Sequence, residues 1–238
     1  MLYYLIMKRI PFTISIILLL CFYANAQSQF NRGFVQEGKY YNSGLGFTYT
    51  YPKDWTVHGD ATVERIKEIG KEKVVESGAL SRASTEATLN NSHFLLTVFR
   101  HAVGTPGITT NPGLLVLAER VDHAPGITNG KDYLLNVRTL LKRAGSPVPS
   151  KDPTEHRFGT WQFFRDDYTV EANGISMLQT YFVTITKGYA VVFVFTSPDQ
   201  KSLDEMVKSM ETIAPAPPVR VLVDTPPKPK PNAKTKPN

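Results

Sequence analysis

The chain has 238 residues, 42% hydrophobic and 20% charged, with a formal net charge of +6. That is enough apolar material for one core of ordinary size, and too much for a disordered chain. The positive charge sits at the ends: residues 27–214 hold twenty basic and twenty acidic side chains, and so neutral a domain has no electrostatic reason to seek nucleic acid.

Lys8 and Arg9 precede the apolar run from Ile14 to Leu20, which is followed by Ala24-Asn25-Ala26. A charged start, a short apolar stretch and a small-residue cleavage site form the pattern of a secretory signal peptide. Residues 1–26 are therefore expected to be removed, which places the mature protein in the periplasm or beyond. Pro11, Thr13 and Ser15 interrupt the apolar segment, which falls short of the roughly 20 residues a membrane span requires, so no transmembrane segment is expected in the mature form. Cys21 is the single cysteine, and Leu20 before it is too large for the small residue that bacterial lipoproteins place there. Loss of Cys21 with the leader excludes disulfides, thiolate nucleophiles and cysteine-ligated zinc.

Residues 27–39 are polar and weakly patterned and read as a flexible lead-in to a single globular domain over 40–214. From Leu45 to Tyr51 large apolar residues alternate with Gly and Thr, the signature of a half-buried strand. Pro52-Lys53-Asp54 breaks it, and Trp55 is expected to be buried just beyond, at a truncation cost of roughly 3–5 kcal/mol. Asp60 opens a helix through Val63, Ile66, Ile69 and Val74, weakened at Gly70, where two shorter pieces are the alternative. Strands follow over His93–His101 and Leu114–Val121, joined by a Gly- and Pro-rich loop.

Asn129 to Asp132 opens a helix with Tyr133, Leu134, Val137, Leu140 and Leu141 on one face and Gly145 as its stop. Three long strands come next, over 161–171, 175–186 and 189–196, turning at Asn173-Gly174 and Lys187-Gly188. Ser197-Pro198-Asp199 starts a last amphipathic helix with Leu203, Met206, Val207, Met210 and Ile213 inward. Residues 215–238 carry eight of the chain's 17 prolines and read as a disordered Pro/Lys-rich tail.

The segment from Tyr40 to Val57, with Tyr51-Pro52-Lys53-Asp54-Trp55 at its heart, precedes long antiparallel strands and a terminal helix of the form SLDEMVKSMETI. In this it resembles the PsbP/Mog1-like family, and within it the secreted bacterial members. The resemblance implies an α+β fold: an α/β/α sandwich in which helices flank a mainly antiparallel sheet. It implies no catalytic set, because relatives include a photosystem lumenal subunit and a binder of a small GTPase.

Chemistry-bearing patterns are sparse. No G-x-S-x-G, P-loop or G-x-G-x-x-G in a strand–helix setting occurs, and no cofactor is expected. His101, Asp122 and His123 lie near the ends of successive strands and form a candidate metal site, the basis for a secreted hydrolase or metal-dependent enzyme. Asp166 and Asp167 point to opposite faces of one strand and cannot act together as acid and base, while Arg165 and Asp167 share a face as a surface pair. Aromatic residues crowd the three long strands; most belong to a core, but Trp161, Phe164 and Tyr181 are candidates for a ligand groove. The favoured reading is a secreted, non-enzymatic binding or accessory module of the bacterial cell envelope. Its partner would be a protein or small ligand there, with weak contact to an anionic surface through the tail.

Overall fold

A computed structural model describes residues 30–172 and 174–217 of the protein; residues 1–29 (which include the expected leader), Asn173 and residues 218–238 of the expected tail lie outside the described residues. The fold is α+β, with two antiparallel sheets and four α-helices among the described residues. The larger sheet has seven strands in the order β4-β5-β6-β10-β9-β8-β7. These are β4 (Thr56–Val57), β5 (Ser92–Phe99), β6 (Gly113–Arg120), β7 (Thr154–Phe158), β8 (Trp161–Ala172), β9 (Ile175–Thr186) and β10 (Tyr189–Ser197). The smaller sheet has the order β1-β2-β3-β11, from β1 (Phe34–Gln36), β2 (Lys39–Asn42), β3 (Phe47–Thr50) and β11 (Ala214–Pro215).

The middle strand explains the layering. β10 is apolar in both phases of its alternation: Val191, Phe193 and Phe195 point one way, and Ala190, Val192 and Val194 the other, all of them buried. A strand buried on both faces needs a cover on each. On the first face the cover is the small sheet, through Tyr40, Phe47 and Tyr49, together with Leu203, Met206 and Met210 of the C-terminal segment. That segment is helix α4 (Gln200–Val207), which tightens into a 3₁₀ turn over Lys208–Thr212. On the second face the cover is α3 (Gly130–Arg143), through Tyr133 and Leu134. α1 (Asp60–Glu76) and α2 (Arg82–Asn90) lie at the β5 edge, where the Lys67 ammonium sits 5.1 Å from the Phe94 ring. One outer layer of the expected sandwich is thus built as much from sheet as from helix.

Local chemistry sets the boundaries. The Asn129 side chain caps α3 by accepting from the backbone N–H groups of Lys131 and Asp132, and Asp199 caps α4 by accepting from Ser202. Lys187 and Gly188, with φ of 50° and 80°, form the two-residue hairpin whose twist matches its strands. At Gly130 a Cβ would collide with the Val183 carbonyl, so glycine there lets α3 rest directly on β9.

Several elements differ from the sequence reading. Residues 30–39, expected as a flexible lead-in, belong to the fold: β1 pairs with β2, and Phe30 stacks on His93 at 3.8 Å. Gly70 does not divide α1, which runs unbroken for 17 residues; α2, β7 and β11 were not anticipated. β5 is not a regular strand either. Its register slips between Phe94 and Leu96, a bulge that resets the alternation. Phe94 consequently turns to the helical face while Leu96 and Val98 join the core against the small sheet.

The second face also buries charge. Arg138 of α3 donates to both carboxylate oxygens of Asp166 at 2.7 Å and to the Lys151 carbonyl at 2.6 Å, and the Tyr168 hydroxyl donates to Asp166 at 2.5 Å. Burial drives the Tyr168 phenol well above its ordinary range, with the adjacent carboxylate reinforcing it, so the phenol stays a donor. Breaking such a pair from one side strands a buried charge, whereas removing it whole is tolerated. Arg138→Met should cost about 3–5 kcal/mol in urea unfolding. The triple change Arg138→Met, Asp166→Leu, Tyr168→Phe should recover most of that loss; a triple variant as unstable as the single one refutes the account.

Candidate functional site

A cleft of about 470 Å³ opens where the two sheets and α4 meet. The turn from Pro52 to Trp55, between β3 and β4, forms one wall; Arg100 and His101, just past β5, form another. Ser202, Glu205 and Met206 of α4 complete it. The volume lies within the range of small-molecule sites.

Each wall is held by local bonding. The Trp55 N–H donates to the Pro52 carbonyl at 3.4 Å, and Asp54 sits at φ 70°, the left-handed region that Asp tolerates better than most side chains. This turn leaves Lys53 and Asp54 in solvent and directs the Trp55 ring toward the main core. Asn111 pins His101 by accepting from its N–H at 3.0 Å and donating to its carbonyl at 2.8 Å, and the Arg100 N–H donates to the Pro112 carbonyl at 2.9 Å. The Gly- and Pro-rich loop is therefore tied at its neck. In α4, a helix whose Leu203 and Met206 are buried, Ser202 and Glu205 are left on the cleft side. The lining offers an indole edge and a thioether, ringed by Lys53 and Arg100 against Asp54 and Glu205.

The sequence reading isolated the Tyr51-to-Trp55 turn and His101 but did not join them. It missed Arg100, Ser202 and Glu205, which carry no motif and reach the cleft only through the register of β5 and the rotation of α4. Trp55 is half-buried rather than buried, because one side of its ring lines the cleft.

The proposed metal set is not assembled. Phe99, near the end of β5, pairs with Gly113 at the start of β6, so His101 lies at that end, while Asp122 and His123 follow Arg120 at the other. At about 3.3 Å per residue the two ends of β6 are more than ~20 Å apart. "Ends of successive strands" means opposite ends in an antiparallel pair. Asp122 is also engaged by Arg120, whose Nε lies 2.8 Å from Oδ1. That hydrogen bond holds its carboxyl below the usual range. Among the described residues no group of three or more His, Cys, Asp or Glu side chains is placed to hold a metal.

The aromatic groove is not assembled either. Trp161 meets Phe47 edge-on at 6.0 Å on the small-sheet side. Phe164 and Tyr181 lie on the opposite face with α3. Tyr181 packs edge-on to Tyr168 at 5.0 Å, and burial pushes its phenol up to about 12. Two residues of the three fall on one face and the third on the other, as the period of a strand dictates.

An α+β protein with two stacked antiparallel sheets and an open, mixed-charge cleft at their seam is the class that these features define. No protein-family profile matches the chain, and no curated protein matches it. Among solved structures, one from Bacteroides thetaiotaomicron VPI-5482 is 16% identical with a TM-score of 0.38, covering 77% of this chain and 50% of that one. The chain thus spans half the length of that protein. LpqN of Mycobacterium tuberculosis, described as involved in cell envelope biogenesis, is 14% identical with a TM-score of 0.38, covering 71% of this chain and 83% of that one. Among the described residues no helix is long and apolar enough to cross a membrane.

A half-buried Trp loses less on truncation than a buried one, for which about 3–5 kcal/mol is usual. Trp55→Ala should therefore cost about 2 kcal/mol in urea unfolding. A loss of about 4 kcal/mol or more would mean that the ring is core and not a wall of the cleft.

Proposed function

We propose that the protein is a secreted, non-enzymatic binding or accessory module of the bacterial cell envelope, related to the PsbP/Mog1-like family, with its ligand site in the cleft at the Pro52–Trp55 turn. The observation that carries this reading is the convergence in one cleft of that turn with Arg100, His101, Ser202 and Glu205. The leader-like pattern of residues 1–26 supplies the envelope. An indole edge suits the apolar face of a ring; two cations suit carboxylates and two carboxylates suit an ammonium group. A zwitterionic ligand with an apolar face, such as an amino-sugar peptide of cell-wall material, meets all three demands.

Trp55 reports on its own site. Trp161→Phe removes the other tryptophan, whose buried indole N–H has no protein partner among the described residues, and should leave the fold intact. Titration of this variant with soluble fragments from digested peptidoglycan should shift the Trp55 emission saturably, and Arg100→Ala should weaken the response several-fold. Emission that stays constant into the millimolar range refutes this site.

The tail carries the second part of the proposal. Residues 218–238 hold five basic side chains against one acidic one, on a neutral domain, and suit weak, salt-sensitive attraction to an anionic surface. β11 belongs to the fold, since Pro215 pairs with Phe47 and the Ala216 N–H donates to the Gly46 carbonyl at 2.9 Å, so the informative truncation follows Pro217. Removing residues 218–238 should leave stability unchanged within about 0.5 kcal/mol and lower retention on vesicles containing anionic lipid at low salt. Equal retention with and without the tail refutes its part in binding.

A further inference from the structure

A second cavity, of about 240 Å³, lies at a different seam, between β1, the β4–α1 connection and the bulged half of β5. Val35, Val57, Val63, Phe94 and Leu96 supply apolar walls. Two polar atoms in its lining are buried and have no hydrogen-bond partner among the described residues: Thr97 Oγ1 and His58 Nε2. Thr97 is only 2% exposed. A buried hydroxyl or imidazole nitrogen without a partner costs free energy, and its occurrence calls for an explanation.

The two residues are cross-strand neighbours. Val57 pairs with Val98, and the His58 N–H donates to the Thr97 carbonyl at 2.8 Å, which continues that register by one residue. Cross-strand neighbours of this kind carry their Cβ atoms about 5 Å apart on one face. Nothing at the site demands a charged ligand. Arg32 donates to the Phe94 carbonyl at 3.1 and 3.0 Å and pairs with Asp60 at 3.2 Å, so the two formal charges cancel. Burial lowers the basicity of His58 and keeps its imidazole neutral. His58 Nδ1 lies 3.4 Å from Thr62 Oγ1, a contact possible in either tautomer, so Nε2 offers either a lone pair or an N–H.

We infer that this cavity is a binding site for a small uncharged alcohol, whose hydroxyl bridges Thr97 Oγ1 and His58 Nε2 and whose short apolar body lies against Val63 and Phe94, on the same face of the sheet. A hydroxyl both donates and accepts, so it satisfies Thr97 and either tautomer of His58. A carboxylate would enter a site whose neighbouring cations are already matched, Arg32 by Asp60 and Lys67 by Glu64, and would lose its hydration without replacement.

The full chain, isotopically labelled, is titrated with 1-butanol and with benzyl alcohol while the His58 imidazole resonances are followed; butyrate serves as the charged counterpart of butanol. Saturable shifts are expected at millimolar alcohol, with butyrate at least about tenfold weaker, a difference of roughly 1.4 kcal/mol. Thr97→Val keeps the shape and removes the hydroxyl. It should melt at the same temperature or higher, because it deletes an unpartnered polar atom, and should lose alcohol affinity by about tenfold. Thr97→Ser should retain that affinity. Shifts that never saturate, butyrate binding as well as butanol, or unchanged affinity in Thr97→Val each overturn the site. A lower melting temperature or failure to fold in Thr97→Val also overturns it, by showing that the hydroxyl holds a structural water instead.

Discussion

The demand placed on the rest of the chain by β10 organises this protein. Six consecutive residues, Ala190 to Phe195, are buried, three on each side of the sheet. Each large apolar side chain moved out of water contributes about 1.5–3 kcal/mol, and neither set can be left uncovered without forfeiting its share. The antiparallel neighbours β6 and β9 extend the same two-faced surface. Everything else in the fold is a means of covering it.

The two covers are unlike, and their differences decide where the surface is concave. α3 lies flat on its face, seated by Gly130 and tied by Arg138 to Asp166. The other cover is composite: a small sheet contributed by both ends of the domain, with α4 alongside. Such a cover has seams. One seam is the cleft beside Trp55; the cavity at Thr97 and His58 opens at another, where β1 meets the edge of the large sheet. Tight packing on one side and divided packing on the other thus put both concave features on the composite side of the molecule.

Most of the scaffold was readable from the sequence, because its signals are local. A continuous apolar run marks β10, and aromatic and β-branched runs between turn residues mark β8 and β9; Asn129 and Asp199 announce helix starts through their own side chains; Lys187-Gly188 fixes a hairpin through its backbone preference. What escaped reading depends on partners distant in sequence. β1 and β11 are too short to show a period and exist because Tyr41 and Thr48 offer them an edge. The bulge in β5 leaves no mark in a run of five apolar-rich residues, yet it decides which of them face the helices. Arg138 did carry a signal: a charged residue four positions after Leu134, on the apolar face of its helix, asks for a buried acid. Asp166, between Phe164 and Tyr168 on one face of β8, answers it. The metal set failed for a related reason, since sequence proximity to strand ends says nothing about which end until pairing is known.

The composite cover has a consequence for how the molecule comes into being. Thr48 and Ala214 are partners in one ladder, although 166 residues separate them, and Tyr49 meets Ser209 through their hydroxyls at 2.5 Å. A nascent chain emerging amino end first therefore carries β1, β2 and β3 in search of a docking surface that does not yet exist, since β10, α4 and β11 are made last. Until Pro215 is free, one face of the large sheet lacks part of its cover. Completion then comes as a single late event in which both ends of the domain lock together, and any blockage of that final segment would leave the molecule unfinished as a whole rather than in part.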